Sequence, residues 1–142
     1  MVIVIDSQSS RGVFVIESKE QLTAKYEETL SWSNREKSFL AEQYIDGDEF
    51  TIDGLVINGH HYPLCISVKE MYPCNPNISR VQLHSYLSDK HDYDLLRKTN
   101  KNLIEKTGLP MGLTHSEYKF HKGKYYLIEA GARGGGCTLC RA

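Results

Sequence analysis

The sequence predicts an α+β chain in which antiparallel sheets carry flanking helices, and three observations predict it. Residues 113–120 and 125–130 alternate side chain by side chain and are joined by a tight glycine turn, which reads as a hairpin of two strands. Asn58-Gly59 is a second hairpin signal between two further strand-like runs. Two helical patterns, one opened by a capping box at Ser18 and one closed by Gly108, supply the flanking layer.

Taken in order, Met1 to Ile5 is an apolar run with two valines and two isoleucines and reads as a buried strand. The polar stretch from Asp6 to Gly12 is a loop, and Val13 to Ile16 returns as a second strand. A strand, a serine-rich loop and a strand form a flap whose backbone N–H groups and hydroxyls suit phosphate. Ser18-Lys-Glu-Gln21 starts a helix near Lys19, and Leu22, Tyr26 and Leu30 give it an apolar stripe. Ser38 to Ile45 reads as the next strand, broken by Asp46-Gly47, with Glu49 to Ile57 following. His60 to Met71 comes back from the Asn58-Gly59 turn. Tyr72 to Ser79 holds two prolines and two asparagines and reads as loop; Val81 to Leu87 reads as strand. A helix is expected from about Asp89 to Thr107, with Tyr93, Leu96, Leu103 and Ile104 turned inward. The six residues from Cys137 look like a helix's first turn.

The totals exclude several classes. A length of 142 residues suits one domain with room for a core. A net charge of −1 gives no reason to expect a nucleic-acid partner. No apolar run approaches the roughly 20 residues of a membrane span, so no membrane is expected, and the opening MVIVI is too short for a signal-peptide core. Cys137 and Cys140 form a C-x-x-C pair, but Cys65 and Cys74 add no zinc spacing. Reduced thiols in a cytoplasmic protein are the expectation. His60, His61, His84, His91 and His121 form no spaced ligand set and read as structural or surface residues.

The chemistry gathers in the last hairpin. Reading His121-Lys122-Gly123 as a three-residue loop sets Glu117 opposite Leu127 and His115 opposite Glu129. Glu117 and Glu129 then share one face as diagonal neighbours, roughly 7–8 Å apart at their backbones. Carboxylates that close repel unless a cation or proton lies between them. Hard oxygen donors favour Mg²⁺ or Mn²⁺. Arg133 follows among glycines, where a guanidinium suits a phosphate or a developing anion. A solvated hairpin edge is the alternative for each acid taken singly.

These residues resemble the ATP-grasp superfamily of carboxylate–amine ligases, which carries an acid on one strand and a Glu-x-Asn-x-Arg run, then glycines, on the next. Glu117 matches the first acid, Glu129 the second and Arg133 the arginine; the asparagine position is Gly131. The resemblance implies that Glu117 and Glu129 hold the metal and that Arg133 is catalytic. It also implies that Ser9, Ser10 and Gly12 cover the β- and γ-phosphates. Glu42-Gln-Tyr-Ile45 followed by Gly47 and Glu49 resembles the family's hinge. It implies that Glu42 and the backbone of Gln43 and Ile45 meet adenine, while Glu49 meets ribose. Lys69 stands where some members place a phosphate-binding lysine.

The match runs through nearly the whole chain in family order and implies an ATP-grasp-like fold, truncated at both ends. Residues 1–45 would be a partial small lobe with flap and helix, and 46–142 a larger lobe with the metal hairpin and glycine loop. Ile3 and Val4 stand where the family has Lys-Pro. The implied ligands are ATP and Mg²⁺ or Mn²⁺, with small-molecule carboxylate and amine substrates. One reading is a fragment of a ligase that activates a carboxylate as an acyl phosphate for attack by an amine. The alternative is an inactive core that binds nucleotide or oligomerises. Met1 to Ile5, apolar on both faces, suits a central strand, so a homodimer through it is expected.

Overall fold

The computed structural model describes residues 2–4, 12–33, 38–84 and 88–135. The expectations placed on Ser9, Ser10, Cys137 and Cys140 lie outside those residues. The chain divides into two compact units: Met1–Tyr44 with Tyr72–Ile78, and Ile45–Met71 with Ser79–Ala142.

In the first unit, β1 (Val2–Val4) pairs antiparallel with β2 (Phe39–Ala41). The strand expected over 38–45 is shorter: β2 covers three residues, and 42–46 lie outside any strand. The strand expected over 13–16 reduces to a single bridging residue, Phe14. Helix α1 (Lys19–Ser31) starts as its capping box dictates: the Gln21 N–H donates to Ser18 Oγ at 3.2 Å. Its buried positions are Thr29 and Leu30. Tyr26, expected in the stripe, is exposed and lays its ring edge-on against Phe39, with 5.6 Å between centroids.

The five-stranded sheet is ordered β5-β4-β3-β6-β7 and is made of β3 (Asp48–Ile57), β4 (His60–Tyr72), β5 (Asn75–His84), β6 (Met111–His121) and β7 (Lys124–Gly131); all of it except Tyr72 and the first four residues of β5 lies in the second unit. Asn58 and Gly59, at φ 52° and 79°, make the expected tight turn between β3 and β4. The loop expected over 72–79 is instead a turn at Pro73-Cys74 followed by β5. Proline there signals not a loop but the edge of a sheet, where a missing N–H costs no ladder bond.

Helix α2 (Tyr93–Lys106) begins later than expected because Asp92 caps it, accepting from the Leu95 N–H at 2.8 Å. Gly108, at φ 75°, ends it. Tyr93 and Leu96 pack with Phe50, Ile52, Ile66 and Tyr118 on one face of the sheet, and Leu103 and Phe120 pack against that cluster. The Tyr118 hydroxyl donates to Asn100 Oδ1 at 3.1 Å inside this core, where burial pushes its pKa up to about 12.

The β6–β7 hairpin differs from its expected register. Lys122 and Gly123, at φ 48° and 78°, form a two-residue turn with His121 opposite Lys124. Tyr118 faces Leu127, and the register then shifts so that Glu117 faces Glu129 directly and His115 faces Gly131. The extra residue is Ile128, in a bulge beside the acids, rather than at the turn. If all residues, Ile128 included, paired regularly from the turn, Glu129 would stand opposite Ser116, on the α2 side.

Candidate functional site

With one face of the sheet buried against α2, strict alternation sends the odd-numbered residues of β3 and β6 to the other face. Neighbouring strands put Glu49 beside Lys69 and Lys119, Thr51 beside Ser67 and Glu117, and Asp53 beside Cys65 and His115. Glutamate, lysine, histidine and aspartate thus meet on three strands, the β3–β4 hairpin and the sequence-distant β6.

The side chains form a chain of alternating charge. Lys69 Nζ donates to Glu49 Oε1 at 2.7 Å and to Glu117 Oε2 at 2.8 Å. His115 Nε2 lies 3.1 Å from Glu117 Oε1, and its Nδ1 lies 2.7 Å from Asp53 Oδ1. Carboxylates only accept, so a ring between two of them carries a proton on each nitrogen. Hydrogen bonds to Asp53 and Glu117 outweigh burial and raise the His115 pKa to about 9. Burial works to raise Glu117, but His115 and Lys69 together hold it down at about 2. Burial opposes the charge of Lys69 too, and Glu49 and Glu117 overcome it, raising its pKa above the ordinary lysine value.

The glycine loop after β7 closes onto this array. The Gly135 N–H donates to Asp53 Oδ1 at 3.2 Å. A Cβ at position 135 would come within 2.6 Å of that oxygen and 2.8 Å of His115 Nδ1, so only glycine lets the backbone lie so close. Arg133 donates from Nη2 to Glu129 Oε1 at 2.9 Å, both side chains being more than half exposed. A β-carbon at Gly131 would meet the Arg133 side chain at 3.4 Å.

Lys69 therefore joins Glu49 to Glu117, Glu129 stands opposite Glu117, and Arg133 lies on Glu129. Gly12 is buried at φ 71°, and Glu42 and Gln43 are exposed, all in the first unit; Ile45 is half-buried and opens the second. Asp53 and His115 are the functional candidates that motif reading passes over. Their signals are faint: an aspartate inside an apolar strand, and a histidine two residues before the first acid.

The donor set fits Mg²⁺ or Mn²⁺. Among the described residues no group of three or more His, Cys, Asp or Glu forms a metal cluster. Mg²⁺ asks for less, typically one or two carboxylates with phosphate and water completing the shell. Each oxygen of Glu117 has one protein donor and keeps a second lone pair. A cavity of about 310 Å³ lies at the C-terminal end of α2, beside Ile104, Leu109, Thr114 and Ala130; its lining carries no charged side chain.

A family model described as an ATP-grasp domain matches residues 3–141. Among solved structures, the chain is similar to an L-amino acid ligase from Bacillus licheniformis, at 29% identity and a TM-score of 0.64 over 86% of its length. It is similar in fold to biotin carboxylase from Campylobacter jejuni in a β-γ-ATP complex, at 15% identity and 0.78 over 95%. D-alanine–D-alanine ligase from Bacillus anthracis complexed with ATP follows, at 19% and 0.59 over 85%. The match takes in 29%, 31% and 37% of those three chains, so this chain spans about a third of their length. No curated protein matches it. No helix among the described residues is long and apolar enough to cross a membrane.

Proposed function

The chain belongs to the ATP-grasp family, and from that membership we propose that the polar face of its larger sheet is the metal and phosphate part of an Mg·ATP site. The observation that carries this reading is the array Glu49–Lys69–Glu117–His115–Asp53, with Glu129 and Arg133 on the neighbouring strand and loop. In a ligase built on this face, a carboxylate is activated as an acyl phosphate and passed to an amine. For this polypeptide alone, the reading is a nucleotide-binding core that does not complete ligation. One fact favours it: glycine stands at 131, where the resemblance places a metal-binding asparagine.

Glu117 and Glu129 are the residues that would hold Mg²⁺, which neutralises phosphate charge when bound. Lys69 holds an ammonium on Glu117 that would serve a phosphate oxygen, and Glu117 would then be free for the cation. Arg133, already exposed, leaves Glu129 for an anion at little cost, since such surface pairs contribute about 1 kcal/mol or less. By family resemblance, Glu42, Glu49 and the backbone of Gln43 and Ile45 are assigned to the nucleoside, and Ser9, Ser10 and Gly12 to phosphate. Two copies associate through β1, which sedimentation velocity checks.

Calorimetry with Mg·ATP and with adenosine, beside a hydroxylamine trap for acyl phosphate, tests the reading. Mg·ATP should bind more tightly than adenosine, and no hydroxamate should form. Equal affinity would remove the phosphate site, and hydroxamate formation would restore ligation to this chain.

A further inference from the structure

His115 has both ring nitrogens committed: Nδ1 to Asp53 and Nε2 to Glu117. Its side chain and that of Asp53 are almost fully buried. A ring held at two points cannot rotate, so its Nε2 fixes where Glu117 Oε1 stands, as Lys69 fixes Oε2. Asp53 Oδ1 serves a second donor, the Gly135 N–H of the glycine loop. One unbroken path of hydrogen bonds thus runs from the loop backbone through Asp53 and His115 to a carboxylate placed for metal.

We propose that Asp53 and His115 are positioning residues that orient Glu117 and clamp the glycine loop at Gly135, so that loop placement and carboxylate orientation depend on one another. The inference deepens the metal and phosphate reading and rests on it for Glu117's role as a ligand. The clamp itself does not. Neither residue need touch nucleotide or metal. The logic is that of groups behind a metal ligand, whose loss typically costs ten- to a hundredfold in metal affinity. The opposite edge of the array is not equivalent: Lys69 reaches Glu117 with a flexible four-carbon stem, and a rotatable ammonium sets position less strictly than an anchored ring.

Two amide side chains divide the role of the ring. Glutamine at 115 keeps a donor near the place of Nε2, and asparagine keeps one near the place of Nδ1. The full chain would be prepared as His115→Gln, His115→Asn, His115→Ala and Asp53→Asn. Two quantities would be measured: Mn²⁺ affinity by electron paramagnetic resonance with ATP present, and exchange of the Gly135 amide in metal-free protein by NMR. His115→Ala and His115→Asn should lose Mn²⁺ affinity at least tenfold, and His115→Gln should recover most of it. Gly135 should remain protected in His115→Asn and exchange faster in His115→Gln and in Asp53→Asn.

Matching behaviour of the Asn and Gln variants in both measurements would overturn the proposal, because a purely structural histidine has no reason to separate them. A variant that does not fold is replaced in the comparison by Asp53→Asn, where unchanged Gly135 exchange overturns it equally. If the unmodified chain binds no Mn²⁺, the metal reading fails, and the metal-free exchange measurement still decides the clamp.

Discussion

Glu117 and Glu129 face each other directly across β6 and β7, yet they live in different electrostatic worlds. Glu117 is clamped between Lys69 and His115, whereas Glu129 lies more than half in water beside Arg133. Metal-free stability should separate them. Glu117→Gln breaks two charge-assisted bonds in a largely buried site and should cost roughly 2–3 kcal/mol. Glu129→Gln should cost less than about 1 kcal/mol. Both should weaken Mn²⁺ binding. Urea unfolding and Mn²⁺ titration of the two variants check this, and equal stability losses would contradict the assigned burial of Glu117.

The same array sets a pH profile. His115 has a folded pKa of about 9, above its unfolded value near 6.5. Its contribution is therefore complete below about pH 6.5 and is lost as pH rises through 9. Glu117, held at about 2, contributes fully above its unfolded value of 4.5 and loses that contribution as pH falls through 2. Metal-free stability should be level from about pH 4.5 to 6.5. It should then fall by at most on the order of 3 kcal/mol toward pH 9. Urea midpoints across that range test it; in Asp53→Asn the alkaline fall should shrink.

The bulge at Ile128 makes a sharper prediction. Its deletion joins Leu127 directly to Glu129, so β7 should pair without a bulge and keep Glu129 opposite Glu117. The deletion should therefore retain Mn²⁺ binding. A loss of Mn²⁺ affinity would mean that the local bend of the bulge, and not register alone, brings the acids together.

Much of the fold was legible in the sequence because it is written locally. The Asn58-Gly59 turn, the Ser18 cap and the Gly108 stop each depend on a few adjacent residues. The acids and the arginine were legible for the same reason, as a short run in order. The bulge was not: one extra residue anywhere between Glu117 and Glu129 puts the acids on a common face, and alternation alone does not say where it falls. Asp53 was hidden because its partner lies 62 residues away, through a pairing of β3 with β6 that neither strand announces. Lys69 was legible as a lysine late on a strand, but not as the link between Glu49 and Glu117, for that same reason.

Lys122 holds a left-handed conformation, φ 48°, that suits asparagine or glycine better than lysine. Lys122→Asn should stabilise the chain by about 0.5–1 kcal/mol with no change in Mn²⁺ affinity. Thermal unfolding reads the gain, and a loss would mean that the lysine makes a contact worth more than its strain.

The first compact unit is encoded in two separate places, Met1–Tyr44 and Tyr72–Ile78, so the backbone passes between the units three times. No single cut in the gene therefore yields either unit whole. Expressing residues 1–44 alone leaves out the returning segment, and expressing residues 45 onward carries that segment without the rest of its unit. A protease nick after Tyr44 leaves the 72–78 segment on the other fragment, so the two fragments share one folded unit and should co-migrate until denatured. Anyone wishing to excise the second unit must bridge Met71 to Ser79 with a new turn, which shortens the β4–β5 hairpin, and that graft is a design problem in chain closure rather than a truncation.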